Sequence, residues 1–64
     1  MKDYIYEYKH GGKLIAFQSR SDDLIIDDID EDGNHSAVII SRESLLGFFE
    51  WLNGNIKVPG VPND

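Results

Sequence analysis

Polar and hydrophobic positions alternate from Asp3 to Lys9, where Tyr4, Tyr6 and Tyr8 interleave with Ile5, Glu7 and Lys9. A period of two is that of a β-strand, and aromatic and branched side chains favour one. Gly11-Gly12 follows, a pair suited to the positive φ angles of a tight hairpin, and Lys13 to Gln18 reads as the returning strand. With a two-residue turn, Tyr8 faces Ile15 and Tyr6 faces Phe17. That puts Tyr4, Tyr6, Tyr8, Ile15 and Phe17 on one face. Ser19 to Asp22 is polar and predicts the next connection.

The run LIIDDIDEDGNHSAVII, Leu24 to Ile40, predicts a second hairpin: a strand over Leu24 to Asp30, a turn at Asp32-Gly33, and a fourth strand over Ser36 to Ser41. A two-residue turn pairs Ile25 with Ile40, Asp27 with Val38 and Ile29 with Ser36, leaving Leu24, Ile26, Ala37 and Ile39 on the opposite face. Neither face is cleanly polar, so a three-residue turn stays open as the alternative. Apolar residues on both faces imply that one face meets something other than the chain's own helix.

The helix follows at once. Ser41 is a good N-cap, Glu43 complements the positive helix end, and Leu45, Phe48, Phe49 and Leu52 recur at i, i+3, i+4, i+7. Glu43, Gly47 and Glu50 mark the wet side, and Gly54 is the expected C-cap. From Asn55 the chain should be extended or loose, with Ile56 and Val58 strapped onto the sheet. The expected architecture is α+β: a four-stranded antiparallel sheet of two hairpins, then one C-terminal helix. Residues 1–54 form one domain, 55–64 a tail, with no repeat beyond the two hairpins.

Composition narrows what such a domain can do. A 64-residue chain buries only ~60% of the surface its unfolded form exposes, so stability is marginal and self-association into a homodimer is expected. It holds no cysteine, hence no disulfide and no thiolate metal site, which fits a reducing cytoplasm. No apolar run approaches the ~20 residues of a membrane span, and the N-terminus lacks a signal-peptide core. The start at Met1 leads us to expect a complete small gene product.

Twelve acidic residues against six basic give a net charge of −6. Asp22, Asp23, Asp27, Asp28, Asp30, Glu31 and Asp32 fall within eleven positions, and no Lys or Arg lies between Arg20 and Arg42. Such a chain repels nucleic acid and anionic lipid and attracts basic protein surfaces. Asp28, Asp30, Asp32 and Gly33 also spell the opening of a calcium loop. The twelfth position, which should be a bidentate acid, is Ile39, and the flanks read as strands rather than helices. A solvated hairpin tip is the better reading, and no metal or cofactor is expected.

Catalytic patterns are absent. His10 and His35 sit at separate hairpin tips without metal-ligand spacing. Asp32, His35 and Ser36 supply triad letters without triad geometry or a nucleophile elbow. Asp27 and Asp28 point to opposite faces of a regular strand and cannot flank one bond. The tyrosine stripe lacks the positive groove of a single-stranded nucleic-acid platform and reads as core. Trp51 lies beside the helical stripe, a candidate interface residue.

Four strands and a C-terminal helix resemble the layout of small coactivator-type single-stranded-DNA-binding proteins, which pair as dimers, although the basic motif of that family is missing. The acidic run DDLIIDDIDED in a short, cysteine-free chain is similar in character to the small acidic inhibitors of phages and mobile elements, including anti-CRISPR proteins. Many of those mimic DNA. Seven carboxylates over eleven extended residues give about one per 5 Å, against one phosphate per ~3.4 Å along each DNA strand. The expected function is thus non-enzymatic inhibition of a nucleic-acid-binding enzyme, with the seven acids and Trp51 as contacts. The alternatives are an interaction or assembly module using an apolar sheet face, and a divalent-cation-binding hairpin.

Overall fold

Branched and aromatic side chains dominate each strand, and polar residues break the chain at near-regular intervals. The computed structural model describes residues 2–60. It contains β1 (Tyr4–Glu7), β2 (Lys13–Gln18), β3 (Leu24–Ile29), β4 (His35–Ile40) and α1 (Arg42–Asn55). The strands form one antiparallel sheet in the order β1-β2-β3-β4, followed by the single helix, as the α+β reading expects. The end of the expected tail, residues 61–64, lies outside the described residues.

Register differs from the two-residue-turn reading in both hairpins, and in the second the structure adopts the three-residue alternative. Tyr6 pairs with Leu14 and Ile5 with Ile15, and Leu24 pairs with Ile40 and Ile25 with Ile39. The two-residue turns are replaced by three-residue loops. Tyr8 N donates to Gly12 O at 3.1 Å and Gly11 N to Tyr8 O at 3.2 Å. At the other tip Asp30 N donates to Asn34 O and Gly33 N to Asp30 O, both at 3.0 Å. This is a three-residue hairpin loop whose last residue is left-handed. The β2–β3 connection repeats it: Ser19 N donates to Asp23 O at 2.9 Å and Asp22 N to Ser19 O at 3.0 Å. The left-handed positions are Gly11, Asp22 and Gly33, with φ of 97°, 68° and 86°, eleven residues apart. The chain therefore carries an eleven-residue strand-and-turn repeat that the sequence reading did not expect.

Side chains at the loop starts explain why three residues are favoured. Asp30 Oδ1 accepts from Asp32 N and Asn34 N, both at 2.9 Å, and Ser19 Oγ accepts from Ser21 N at 3.3 Å and Asp23 N at 3.2 Å. Each satisfies two backbone donors that a loop of this length leaves free. In the first loop glycine does the work. Gly12 has φ 87°, and a Cβ there would meet the backbone of Ile29 and Asp30 at the end of β3.

The register gives the sheet two faces. Tyr4, Tyr6, Leu14, Ala16, Leu24, Ile26, Val38 and Ile40 share one, with Asp28 toward one end; Ile5, Ile15, Phe17, Ile25, Ile29, Ala37 and Ile39 share the other, with Asp27 near its centre. The tyrosines therefore share their face with Leu14 and Ala16 rather than with Ile15 and Phe17.

Ser41 caps α1, accepting from Glu43 N at 3.3 Å, and Asp23 Oδ1 accepts from Arg42 N at 2.9 Å, tying the helix start to the β2–β3 loop. At the far end Gly54 lies within the helix instead of capping it. Asn55 Nδ2 donates to Trp51 O at 2.9 Å and Ile56 N to Leu52 O at 3.0 Å, which serves the terminal carbonyls without a glycine. Leu45 meets the tyrosine face over Tyr4, Ala16 and Leu24, lining a cavity of about 270 Å³. Beyond that corner α1 makes little close backbone contact with the strands among the described residues. Ile56 and Val58 are about half exposed and strap nothing down.

No described residue is buried. The radius of gyration is 13.7 Å, where a compact domain of this length has about 11 Å. The accessible surface is 5742 Å²; a folded monomer of this mass exposes about 4,200 Å². The surplus is about 1,500 Å².

Candidate functional site

The seven acids of the central run do not form one track. Asp22 and Asp23 lie at the end of the sheet bearing the β2–β3 loop and the start of α1, whereas Asp30, Glu31 and Asp32 lie at the opposite end, one strand length away. Asp27 and Asp28 alternate onto the two faces between them. Four of the seven hold internal hydrogen bonds: Asp23 to Arg42 N, Asp27 to His35, Asp28 to Tyr8 and Asp30 within its own loop. Asp22, Glu31 and Asp32 are the exposed members without such a bond among the described residues.

Local electrostatics follow from these contacts. Tyr8 Oη donates to Asp28 Oδ1 at 2.7 Å, and that bond to a carboxylate raises the phenol pKa above 10.0. Asp30 is pulled below 3.8, chiefly by the Asn34 backbone N–H, with the Asn34 side chain and the Asp32 and Gly33 amides adding to it. His35 Nδ1 lies 2.8 Å from Asp27 Oδ2. The other Asp27 oxygen, Oδ1, is shielded from solvent and has no partner among the described residues. No Lys or Arg comes within ion-pair distance of an acid among the described residues.

The calcium letters are pulled apart. Asp28 faces the tyrosine side, Asp30 is committed to backbone amides and Asp32 stands at the tip. No group of three or more His, Asp or Glu among the described residues is arranged to hold a metal ion. A shallow depression between the two neighbouring tips is lined by Tyr8, His10, Gly11, Asp28, Asp30 and Glu31. Its carboxylates sit beside His10, and it contains no arranged nucleophile and base. No helix of the described residues is long and apolar enough to cross a membrane.

What the surface does offer is apolar area. Trp51 is 51% exposed, Phe49 61% and Leu46 71%. At about 100° per residue, Leu45, Phe48, Phe49 and Leu52 form one stripe with Leu46 and Trp51 on its two flanks. Together they cover more than half of the helix circumference, a wider apolar arc than packing on a single surface requires. Ile39 is 67% and Ile5 58% exposed on the other face of the sheet. Sequence reasoning singled out Trp51 and placed Ile39 on an apolar sheet face but passed over Leu46 and Ile5. The doublets Leu45-Leu46, Phe48-Phe49 and Trp51-Leu52 carried the signal, because adjacent helical residues cannot share one narrow stripe.

Comparison of the chain with protein-family models, curated proteins and solved structures finds no match.

Proposed function

We propose that this protein is a non-enzymatic interaction module that works by contact with protein surfaces, in a cytoplasmic setting that its lack of cysteine suits. The observation that carries the reading is the surplus of about 1,500 Å² of accessible surface, with no buried residue among those described and with Leu46, Phe49 and Trp51 open to solvent. Exposed apolar side chains clustered in this way on a soluble protein mark a binding surface. Aromatic side chains such as Trp51 dominate binding energy at interface centres, where they bury large area at little entropic cost.

The test is affinity capture from cells that make the protein, with three baits: wild type, Phe49→Ala/Trp51→Ala, and Glu31→Gln/Asp32→Asn. The expected result is a partner held by wild type and by the charge-neutralised bait at high salt, and lost from the helix variant. Calorimetry of the purified pair should show a negative heat-capacity change, the marker of apolar burial. A partner lost on neutralisation and kept by the helix variant would contradict the reading.

A second reading, inhibition of a nucleic-acid-binding enzyme through its basic groove, is favoured by the −6 charge and by Glu31 and Asp32 standing unpaired at the projecting tip among the described residues. Its footing is the tip, not a continuous anionic track, because Asp23, Asp27, Asp28 and Asp30 are spent on internal bonds. Under this reading, association should be fast and fall steeply with salt.

A further inference from the structure

We infer that the isoleucine face of the sheet, centred on Ile15, Ile25 and Asp27, is the surface through which two copies of this chain pair. The inference rests on reading the exposed apolar surface as a contact surface, and assigns one part of it an occupant. Area is the first argument. A stable interface takes about 800 Å² from each partner, and obligate homodimers take more. The surplus of about 1,500 Å² is large enough to include a contact of that size.

The chemistry of the face is the second argument, because it suits a copy of itself better than a basic partner. Its polar members carry both signs: Glu7 pairs across the ladder with Lys13 at one edge, and Asp27 is bonded to His35. A twofold axis sets a patch against itself, so that residue i meets j and j meets i, and a patch with both signs can satisfy that condition. A uniformly basic surface would meet Lys13 head-on.

The test is sedimentation velocity on the full chain at micromolar concentration, with two variants of neighbouring residues on β4. Ile39 points to the isoleucine face and Val38 to the tyrosine face, and both are exposed at 67% and 58%, so lysine at either site leaves the single chain free to fold. Wild type should sediment at twice 7.3 kDa. Ile39→Lys should weaken pairing at least about 100-fold, because each copy would press an unpaired ammonium into apolar surface. Val38→Lys should leave it unchanged.

A monomeric wild type would overturn the inference, and so would a dimer broken by Val38→Lys and not by Ile39→Lys, which would place the contact on the tyrosine face. Far-UV circular dichroism shows whether each variant is folded, and the wild-type mass decides the matter even if one is not. A monomer that still captures a partner through Phe49 and Trp51 would sink the pairing and leave the interaction-module reading standing. A dimer that captures nothing would do the opposite.

Discussion

Replacing Gly12, Gly33 and Gly47 by alanine, one at a time, should give three different stabilities, and their order tests the register directly. Gly47 lies in α1 with nothing within 4 Å of a built Cβ, so alanine there should stabilise by about 0.8–1.0 kcal/mol, the difference in helix propensity. Gly33 also faces open space but has φ 86°. Alanine pays roughly 1–2 kcal/mol of left-handed strain, partly offset by the ~0.4–1 kcal/mol gained from a less flexible unfolded chain. A net loss near 1 kcal/mol is expected. Gly12 combines φ 87° with a Cβ that would meet Ile29 O, Asp30 C at 2.8 Å and Asp30 O at 3.0 Å. All three are backbone atoms, which cannot rotate aside as a side-chain end can. Relief requires parting β2 from β3, at roughly 1–3 kcal/mol beyond the strain. The expected loss is about 3 kcal/mol, a large share of the roughly 3–10 kcal/mol available to a chain of this length. Urea unfolding followed by Trp51 fluorescence, at one fixed protein concentration, measures all three. In the two-residue-turn register Gly11 and Gly12 would sit together at an open tip, and Gly12→Ala would cost no more than Gly33→Ala. That result would refute the register.

Other perturbations have signs that follow from single contacts. Asp22 is the one described non-glycine residue with positive φ, at 68°, and Asp22→Gly should raise stability by roughly 0.5–1 kcal/mol in the same urea assay, because glycine fits the left-handed turn without strain. Asp30, whose folded pKa is lowered below 3.8, contributes stability that is present above the unfolded value and lost as pH falls through the folded one. Asp30→Asn, which can still accept both amides, should therefore lose less stability than wild type between neutral pH and the acid range, as thermal melts across that range would show. In a Tyr4→Phe/Tyr6→Phe background the remaining Tyr8 should ionise at a lower pH once Asp28→Asn removes the charged acceptor, read by ultraviolet titration of the phenol.

The strands were legible because branched and aromatic residues cluster in short runs, within strands of four or six residues, between polar breaks, and the helix because Ser41, Glu43 and the Leu45–Leu52 spacing agree. β2 kept both its expected ends, Lys13 and Gln18. Register was not legible, for a physical reason: both faces of every strand carry apolar residues, so no hydrophobic pattern distinguishes one pairing from another shifted by three residues, as in the first hairpin, or by one, as in the second. The clue lay in the turns. Asp30 and Ser19 each have a backbone amide two and four residues on within reach, and Gly11, Asp22 and Gly33 mark one left-handed position per eleven residues. Looking at Gly-Gly and Asp-Gly alone selects the commoner two-residue turn and misses the Ser19 copy, whose left-handed residue is an aspartate. The acidic run was legible as charge but not as geometry. Its carboxylates include a helix-start acceptor, a loop lock, a tyrosine acceptor and a histidine partner, roles that need residues distant in sequence.

The claim that this chain completes its core by contact with another molecule of itself is tested most directly by urea unfolding at protein concentrations spanning two decades. A paired native state gains stability by mass action, by about 1.4 kcal/mol for each tenfold rise in concentration. The account predicts that the unfolding midpoint climbs steadily with concentration and that Ile39→Lys flattens the climb. A single cooperative transition whose midpoint stays the same from the lowest concentration to the highest would contradict it.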